Sequence, residues 1–147
     1  MSTRANVKIT SIQNDKIKTE WLYKHHDGYP THTGDILEFA FHNNDSLVDA
    51  VNTLIADHKF ETTTEQHGDI NWLYNIKILE GRWTLEITEF HFQHTYEDGN
   101  EKLQDARFSW SGTQSQVWTK YKVYESKCAI KQAKHRLDYY NKKFLEV

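Results

Sequence analysis

Hydrophobic and polar residues alternate along two stretches near the amino terminus. Val7 and Ile9 alternate with polar neighbours, and a second alternation runs over positions 17 to 23. A period of two is typical of β-strands that bury one face. Asn14 and Asp15 lie between the two stretches, and both residue types favour turns. The pattern therefore predicts a β-hairpin from Ala5 to His25.

Two short helical patterns follow the hairpin. The segment from Asp35 to His42 is apolar almost all round and predicts a first helix. Asn43 to Ser46 then offers N-cap residues, whose side chains accept hydrogen bonds from free backbone amides. The apolar residues that follow recur at helical spacing, which predicts a second helix that ends near Lys59.

The strongest strand signal lies in the middle of the chain. Apolar residues alternate from Trp72 to Ile78 and again from Trp83 to Ile87, with Glu80-Gly81 between them. A two-residue turn at this point predicts a hairpin whose apolar side chains share one face. The phenylalanines at 90 and 92 then shift the alternation to even positions, which predicts a β-bulge near Glu89.

The last third of the chain predicts one more strand and a long helix. A turn at Glu97–Asn100 precedes an alternating segment at Arg107–Trp110. Thr113 and Gln116 have the spacing of a capping box, so we expect the helix to begin near Gln114, although the alternation over 117–123 also resembles a strand. The helix carries an apolar stripe at spacings of three and four residues: Ile130, Ala133, Leu137, Tyr140 and Phe144.

Together these elements predict one α+β domain over residues 1–147. We expect an antiparallel β-sheet built from hairpins, with helices packed on one face and a long C-terminal helix. A chain of 147 residues is long enough for a single core, and 14% aromatic residues supply large buried areas.

Composition and charge narrow the classes of partner. No apolar run reaches the length of a membrane span or signal-peptide core, and the single Cys128 fits a reducing compartment, so we expect a cytoplasmic protein without a membrane partner. The net charge is −3, yet the segment from Lys120 onward holds eight Lys or Arg and three Asp or Glu. This basic segment is either a solvated face that complements an acidic body or a docking surface, and the acidic total argues against strong binding to duplex nucleic acid.

One loop concentrates candidate chemistry: His25-His26-Asp27-Gly28-Tyr29-Pro30. Proline restricts its own φ and glycine permits positive φ, so this segment predicts a rigid loop. With His32 it forms the densest group of metal-ligating residue types, but adjacent histidines on a strand point to opposite faces. His91 and His94 are three residues apart, so on a regular strand they would also point to opposite faces. We therefore expect no metal site.

Nucleophilic catalysis has little support in the sequence. Cys128 lies beside the apolar stripe and is expected to be a small buried residue. Ser2 would become the terminal residue if Met1 were removed, and a terminal hydroxyl can act as a nucleophile, but no other residue supports that role. No nucleophile elbow, phosphate-binding glycine loop or dinucleotide motif occurs. We therefore assign no catalytic residue and expect no cofactor.

Arg4 is the most informative residue before the first strand. The predicted hairpin brings it near positions 24 to 26, and two interpretations remain open. It forms an ion pair with Asp27 that holds the loop, or its guanidinium binds a phosphate or carboxylate. In the second case Tyr29, and also Trp21 or Tyr23, could stack on a planar ligand, whereas otherwise these aromatic side chains belong to the core.

The opening Met1-Ser2-Thr3-Arg4-Ala5-Asn6, coupled to Tyr23-Lys24-His25-His26-Asp27-Gly28-Tyr29-Pro30, resembles a set of small, largely uncharacterised phage and prophage proteins. Those proteins begin Met-Ser-Thr-Arg and carry a His-x-Asp-Gly-Tyr-Pro-like segment after their first hairpin. The resemblance covers about the first 35 residues. It implies a phage context and no particular reaction.

These observations lead to one main hypothesis and two alternatives. The main hypothesis is a non-enzymatic protein that binds either a small anionic ligand or a host protein. The ligand could be derived from a nucleotide. The site would consist of five residues: Arg4, His25, His26, Asp27 and Tyr29. The first alternative is a small hydrolase in which a loop histidine acts as general base and Asp27 orients it. The second is a protein-interaction module that uses the basic helix around Lys127–Lys143. A homo-oligomer is compatible with each of them.

Overall fold

The computed structural model describes residues 3–95 and 99–145, and it has the predicted α+β architecture. In chain order the elements are β1 (Ala5–Gln13), β2 (Lys16–Lys24), a π-helical turn (Pro30–Gly34), α1 (Asp35–His42), α2 (Leu47–His58), β3 (Glu61–Thr63), β4 (Trp72–Leu79), β5 (Arg82–Thr95), β6 (Gly99–Gly112) and α3 (Gln114–Leu145). Within the described ranges, no helix is both long enough and apolar enough to cross a lipid bilayer.

The six strands form one sheet in the order β3-β2-β1-β4-β5-β6. Four of the five neighbouring strand pairs in the described chain are antiparallel, and β1 pairs with β4 in parallel. Hairpins alone could not predict this parallel pair, because α1, α2 and β3 lie between its two strands in the sequence. The chain returns from β3 at the edge to β4 in the middle of the sheet, and this return brings the segment 64–71 close to the start of β1.

Both predicted hairpins are present with two-residue turns. Asn14 and Asp15 have φ of 50° and 61°, and Glu80 and Gly81 have φ of 47° and 84°. Positive φ at both central residues is typical of the type I′ turn, whose twist matches that of the strands. These turns place the alternating apolar residues of β1, β4 and β5 on one face of the sheet, where β2 contributes Leu22 opposite Val7. The predicted alternation of β2 points the other way, since Trp21 and Tyr23 pair with Lys8 and Asn6 on the opposite face.

That face carries the main core, and the helices pack on it. Val7, Tyr74, Ile76 and Leu85 are almost completely buried there. Aromatic rings join the helices to the sheet, and they are Phe41 of α1, Trp83 of β5, and Trp118 and Tyr121 of α3. The edge-to-face geometries of these rings match the preference of aromatic quadrupoles.

A bulge lies close to the predicted position near Glu89, but on the neighbouring strand. The register between β5 and β6 shifts between Ile87 and Thr88, and the extra residue is Arg107 on β6. β5 itself keeps its alternation, so Phe90 lies on the opposite face of the sheet. There it packs in a second, smaller buried cluster with Tyr23 and Ile70. The side chain of residue 92 and the first two residues of the predicted turn at 97–100 lie outside the described residues.

The predicted helix boundaries are confirmed. The Ser46 hydroxyl caps α2 by accepting a hydrogen bond from the Asp49 amide at 3.1 Å, and Lys59, the cap residue after α2, has the left-handed conformation. Thr113 and Gln116 form the expected reciprocal capping box, so the helical interpretation of 117–123 holds. Only the first part of α3 packs on the sheet, since every residue from 129 to 144 is exposed.

Leu85→Ala tests the assignment of the buried face. Leu85 is 1% exposed in β5, so its truncation should lower the free energy of unfolding by about 2–5 kcal/mol through lost burial and a residual cavity. Leu79→Ala in β4 is the matched control, since Leu79 is 46% exposed and its truncation should cost less than about 1 kcal/mol. Urea denaturation measures both changes, and equal losses would contradict the assignment.

Candidate ligand-binding site

The loop after β2 forms one wall of a cavity of about 580 Å³. The opposite wall consists of the end of α2 and the start of β3, because β3 pairs antiparallel with the end of β2. The ten lining residues are mostly polar: Lys24, His25, His26, Asp27, His32, Ile36, Asp57, His58, Lys59 and Glu61. A cavity of this size lies in the range of small-molecule sites, which span roughly 300–1,000 Å³.

Glycine at position 28 allows the loop to pass close to β1. A Cβ at this position would lie 2.8 Å from the Cβ of Ala5, which is too close for any other residue without movement. The Gly28 amide donates a hydrogen bond to the Thr3 carbonyl at 2.9 Å. Asp27 has φ of 57°, a left-handed conformation that aspartate tolerates better than most residues. The Asp-Gly pair therefore turns the chain sharply against the amino-terminal strand.

Two buried tyrosine hydroxyls hold the loop from the core side. Tyr74 of β4 donates to the Gly28 carbonyl, and Tyr121 of α3 donates to the Pro30 carbonyl, each at 2.6 Å. Burial raises the pKa of both hydroxyls well above the ordinary value, so both remain protonated donors. Gly34 leaves room for Tyr121, because a Cβ there would collide with the hydroxyl.

His25 and His26 line the same cavity, contrary to the expectation that they point to opposite faces. That expectation assumed a strand, but β2 ends at Lys24 and the two histidines lie in a bend. Their ring centroids are 6.3 Å apart. Among the described residues, no group of three or more His, Cys, Asp or Glu has the geometry to hold a metal ion.

Lys24 joins the cavity to the core. It is only 7% exposed, and its Nζ lies 4.9 Å from the centre of the Phe60 ring and donates to the His58 carbonyl at 3.2 Å. Burial lowers the pKa of this ammonium group. Because the His58 carbonyl lies at the C-terminus of α2, Lys24 offsets the negative end of the helix dipole that faces the cavity.

Some polar side chains of the cavity have hydrogen-bond or ion-pair partners among the described residues, and others have none. Glu61 lies 3.4 Å from His25 Nε2, and the Tyr29 hydroxyl donates to Asp27 at 3.3 Å. Within the described part of the chain, no hydrogen bond or ion pair engages the side chains of four lining residues: His26, Asp57, His58 and Lys59. Three of these four can donate to a ligand.

Arg4 does not line this cavity, and the predicted Arg4–Asp27 ion pair is wrong. The guanidinium lies 3.2 Å from Asp69, which also accepts a hydrogen bond from the Tyr23 hydroxyl at 3.0 Å. Tyr23 and Lys24 are consecutive strand residues, so their side chains point to opposite faces of the sheet. The Asp69 carboxylate reaches Arg4 because the segment before β4 hydrogen-bonds to the Arg4 backbone through Asn71.

Comparisons of the chain with protein-family models, with curated proteins and with solved structures each found no match. The site is therefore interpreted from its own chemistry.

Of the five predicted site residues, three line the cavity: His25, His26 and Asp27. Tyr29 lies beside it, with its ring centroid 6.0 Å from that of His32. Sequence reasoning missed His58, Lys59 and Glu61. The only feature of the sequence that could have indicated these three residues is the end of α2. There a cap residue and a following strand place polar side chains at the edge of the sheet.

The other candidate residues occupy separate environments. His91 lies 3.2 Å from both Glu89 and Arg107, in a network of charged side chains on β5 and β6, and the side chain of His94 lies outside the described residues. Cys128 is half-buried in α3 rather than fully buried. Trp21 lies under the Lys8 ammonium at 5.1 Å, and Ser2 falls outside the described residues.

Tyr74→Phe tests how the loop is held. The substitution keeps the ring but leaves the buried Gly28 carbonyl without its donor, so the free energy of unfolding should fall by about 1–3 kcal/mol. Tyr139→Phe is the control, because Tyr139 is 61% exposed in α3 and should change stability by less than about 0.5 kcal/mol. Urea denaturation compares the two variants, and a Tyr74→Phe protein as stable as the control would refute this role.

Tyr23 gives a pH-dependent test of the Arg4–Asp69–Tyr23 cluster. Burial and the hydrogen bond to Asp69 raise the pKa of Tyr23 from 10.0 to about 12. Because the folded-state pKa is the higher one, this contribution to stability is complete below pH 10 and is lost as the pH rises towards 12. Unfolding free energies measured across this interval should fall more steeply for the wild type than for Tyr23→Phe. The shifts of Tyr74 and Tyr121 are common to both proteins, so equal slopes would contradict the assignment.

Proposed function

We propose that this protein is a non-enzymatic binder of a small anionic ligand, held in the cavity between the loop after β2 and the end of α2. The observation that carries the proposal is a set of three donor side chains that line the cavity from its two walls and have no partner among the described residues: His26, His58 and Lys59. Two of the three lining carboxylates already have partners, Glu61 in His25 and Asp27 in Tyr29. The cavity therefore offers more free donors than free acceptors.

A nucleotide-derived ligand suits this cavity best. A phosphate group accepts hydrogen bonds from imidazole and ammonium groups, and Lys59 and His58 are adjacent at the end of α2. The rings of His25 and His26 supply planar surfaces for a base, and Ile36 supplies an apolar wall. The amino-terminal resemblance to phage and prophage proteins supports a phage context, in which host signalling nucleotides or a host protein would be the targets. The single cysteine and the absence of a long apolar run support a location in the cytoplasm.

The hydrolase alternative has weaker geometric support. His32 Nε2 lies 4.0 Å from the Asp27 carboxylate, beyond the distance at which the carboxylate would orient an imidazole by a hydrogen bond. None of the ten lining residues is Ser, Thr or Cys, so among the described side chains of the cavity no hydroxyl or thiol nucleophile is present. Turnover of a bound ligand would nevertheless favour this alternative over binding alone.

Isothermal titration calorimetry with a panel of nucleoside monophosphates, cyclic nucleotides and inorganic phosphate tests the proposal. We expect at least one nucleotide to bind and to be recovered intact by chromatography. Lys59→Asn should weaken binding by about tenfold or more, because the asparagine keeps the left-handed cap but removes the charge. Asp57→Asn should tighten binding several-fold, since it removes an unpaired negative charge from the wall.

Lys77→Asn is the matched control for Lys59→Asn. Lys77 is exposed on β4 and does not line the cavity, so this variant should bind like the wild type. Failure of every panel member to bind, or equal losses in the Lys77 and Lys59 variants, would overturn the proposal. Conversion of the nucleotide would replace it with the hydrolase.

A further inference from the structure

The second half of α3 extends beyond the sheet with its apolar stripe uncovered. Every residue from 129 to 144 is exposed, including three large apolar side chains of the stripe: Ile130 at 57%, Leu137 at 60% and Phe144 at 79%. Monomeric proteins scatter such side chains singly, whereas a continuous stripe marks an interaction surface. This stripe is the strongest unexplained feature of the surface.

The stripe has the seven-residue period of a coiled-coil seam. Val123, Ile130, Leu137 and Phe144 lie seven residues apart, and Val123 is also 52% exposed. A second row with the same spacing lies three residues after the first: Ser126, Ala133 and Tyr140. These rows occupy the a and d positions of a heptad over about 32 Å of helix. We call these seven residues the α3 seam.

The α3 seam points away from the domain. Trp118 and Tyr121 bury the opposite side of α3 against the sheet. Ile130 lies nine residues after Tyr121, about two and a half helical turns, and therefore on the other side of the helix. Gln132, on the side of Tyr121, contacts the Thr31 hydroxyl at 3.5 Å. The domain's own core thus accounts for one side of α3 and leaves the seam free for a partner.

The charges beside the α3 seam indicate which kind of partner it can bind. The segment 127–144 holds six Lys or Arg and one Asp. Four of the basic residues occupy the e and g positions beside the seam: Lys127, Lys134, Arg136 and Lys143. A second copy of this helix would place these positive charges against each other, and like charges at e and g oppose pairing.

We propose that the α3 seam binds an amphipathic helix of another protein, with apolar a and d residues and Glu or Asp at its e and g positions. Apolar side chains would fill the a and d layers, where Ala133 and Ser126 allow close approach. Carboxylates of the partner would pair with the lysines and Arg136 on both flanks. This surface is separate from the cavity, so the inference stands independently of the proposed ligand.

Two synthetic helical peptides test this inference with the full-length protein. Both carry four heptads with Ile at a and Leu at d, and one has Glu and the other Lys at all e and g positions. Fluorescence anisotropy of the labelled peptides measures binding. We expect the acidic peptide to bind at least about tenfold more tightly than the basic peptide.

Two sets of variants separate the apolar and charged contributions. Ile130→Ser with Leu137→Ser should weaken binding of the acidic peptide by at least about tenfold without changing the unfolding midpoint of the domain, since both residues are exposed. His135→Ser with Lys142→Ser, away from the seam, is the control and should bind normally. The quadruple variant Lys127→Glu, Lys134→Glu, Arg136→Glu and Lys143→Glu should reverse the preference in favour of the basic peptide.

Three results would overturn the inference. The first is the absence of any preference between the acidic and basic peptides. The second is self-association in sedimentation equilibrium that the Ile130→Ser and Leu137→Ser double variant abolishes, which would make a second copy the partner. The third is duplex DNA binding that requires Lys127 and Lys134 but survives the double variant, which would make the helix a phosphate-binding surface.

Discussion

The hydroxyl groups of Tyr74 and Tyr121 reach the carbonyls of Gly28 and Pro30 from two different elements of the core. Each bond satisfies a backbone acceptor that would otherwise be buried without a partner. The sheet and α3 therefore determine together where the loop runs. The cavity depends on this arrangement, since one of its walls is that loop and the other is the end of α2. Displacement of the loop would separate His26 from His58 and Lys59, and the donors would no longer converge.

Two polar clusters that contain consecutive residues of the sequence lie on opposite faces of the first hairpin. Tyr23 points to the face where Asp69 pairs with Arg4, whereas Lys24 points to the face of the cavity. Arg4 consequently stabilises the start of β1 and the segment before β4, and the cavity takes its donors from α2. His25 lies at the boundary, since its ring centroid is 4.6 Å from that of Tyr23 in an edge-to-face arrangement and it also lines the cavity.

Local patterns predicted the features that depend on neighbouring residues. The two short hairpin turns, the Ser46 cap and the Thr113 capping box each involve contacts within a few positions. The loop was found for the same reason, because Gly28 and Pro30 restrict the backbone locally. The parallel pairing of β1 with β4, the partner of Arg4 and the bulge at Arg107 depend on strands far apart in sequence. The His58 and Lys59 contributions were missed because the end of α2 lies beside the loop only through the pairing of β3 with β2, which no local pattern indicates.

Native-state hydrogen exchange of the loop amides tests the central claim most directly. The Gly28 amide donates to Thr3 and the Thr33 amide donates to Tyr29, each at 2.9 Å. If the buried tyrosines hold the loop as part of the core, both amides should exchange only through global unfolding, as slowly as core amides of β4. Exchange at the rate of a solvent-exposed loop would show that the loop opens independently of the core, and would contradict this account.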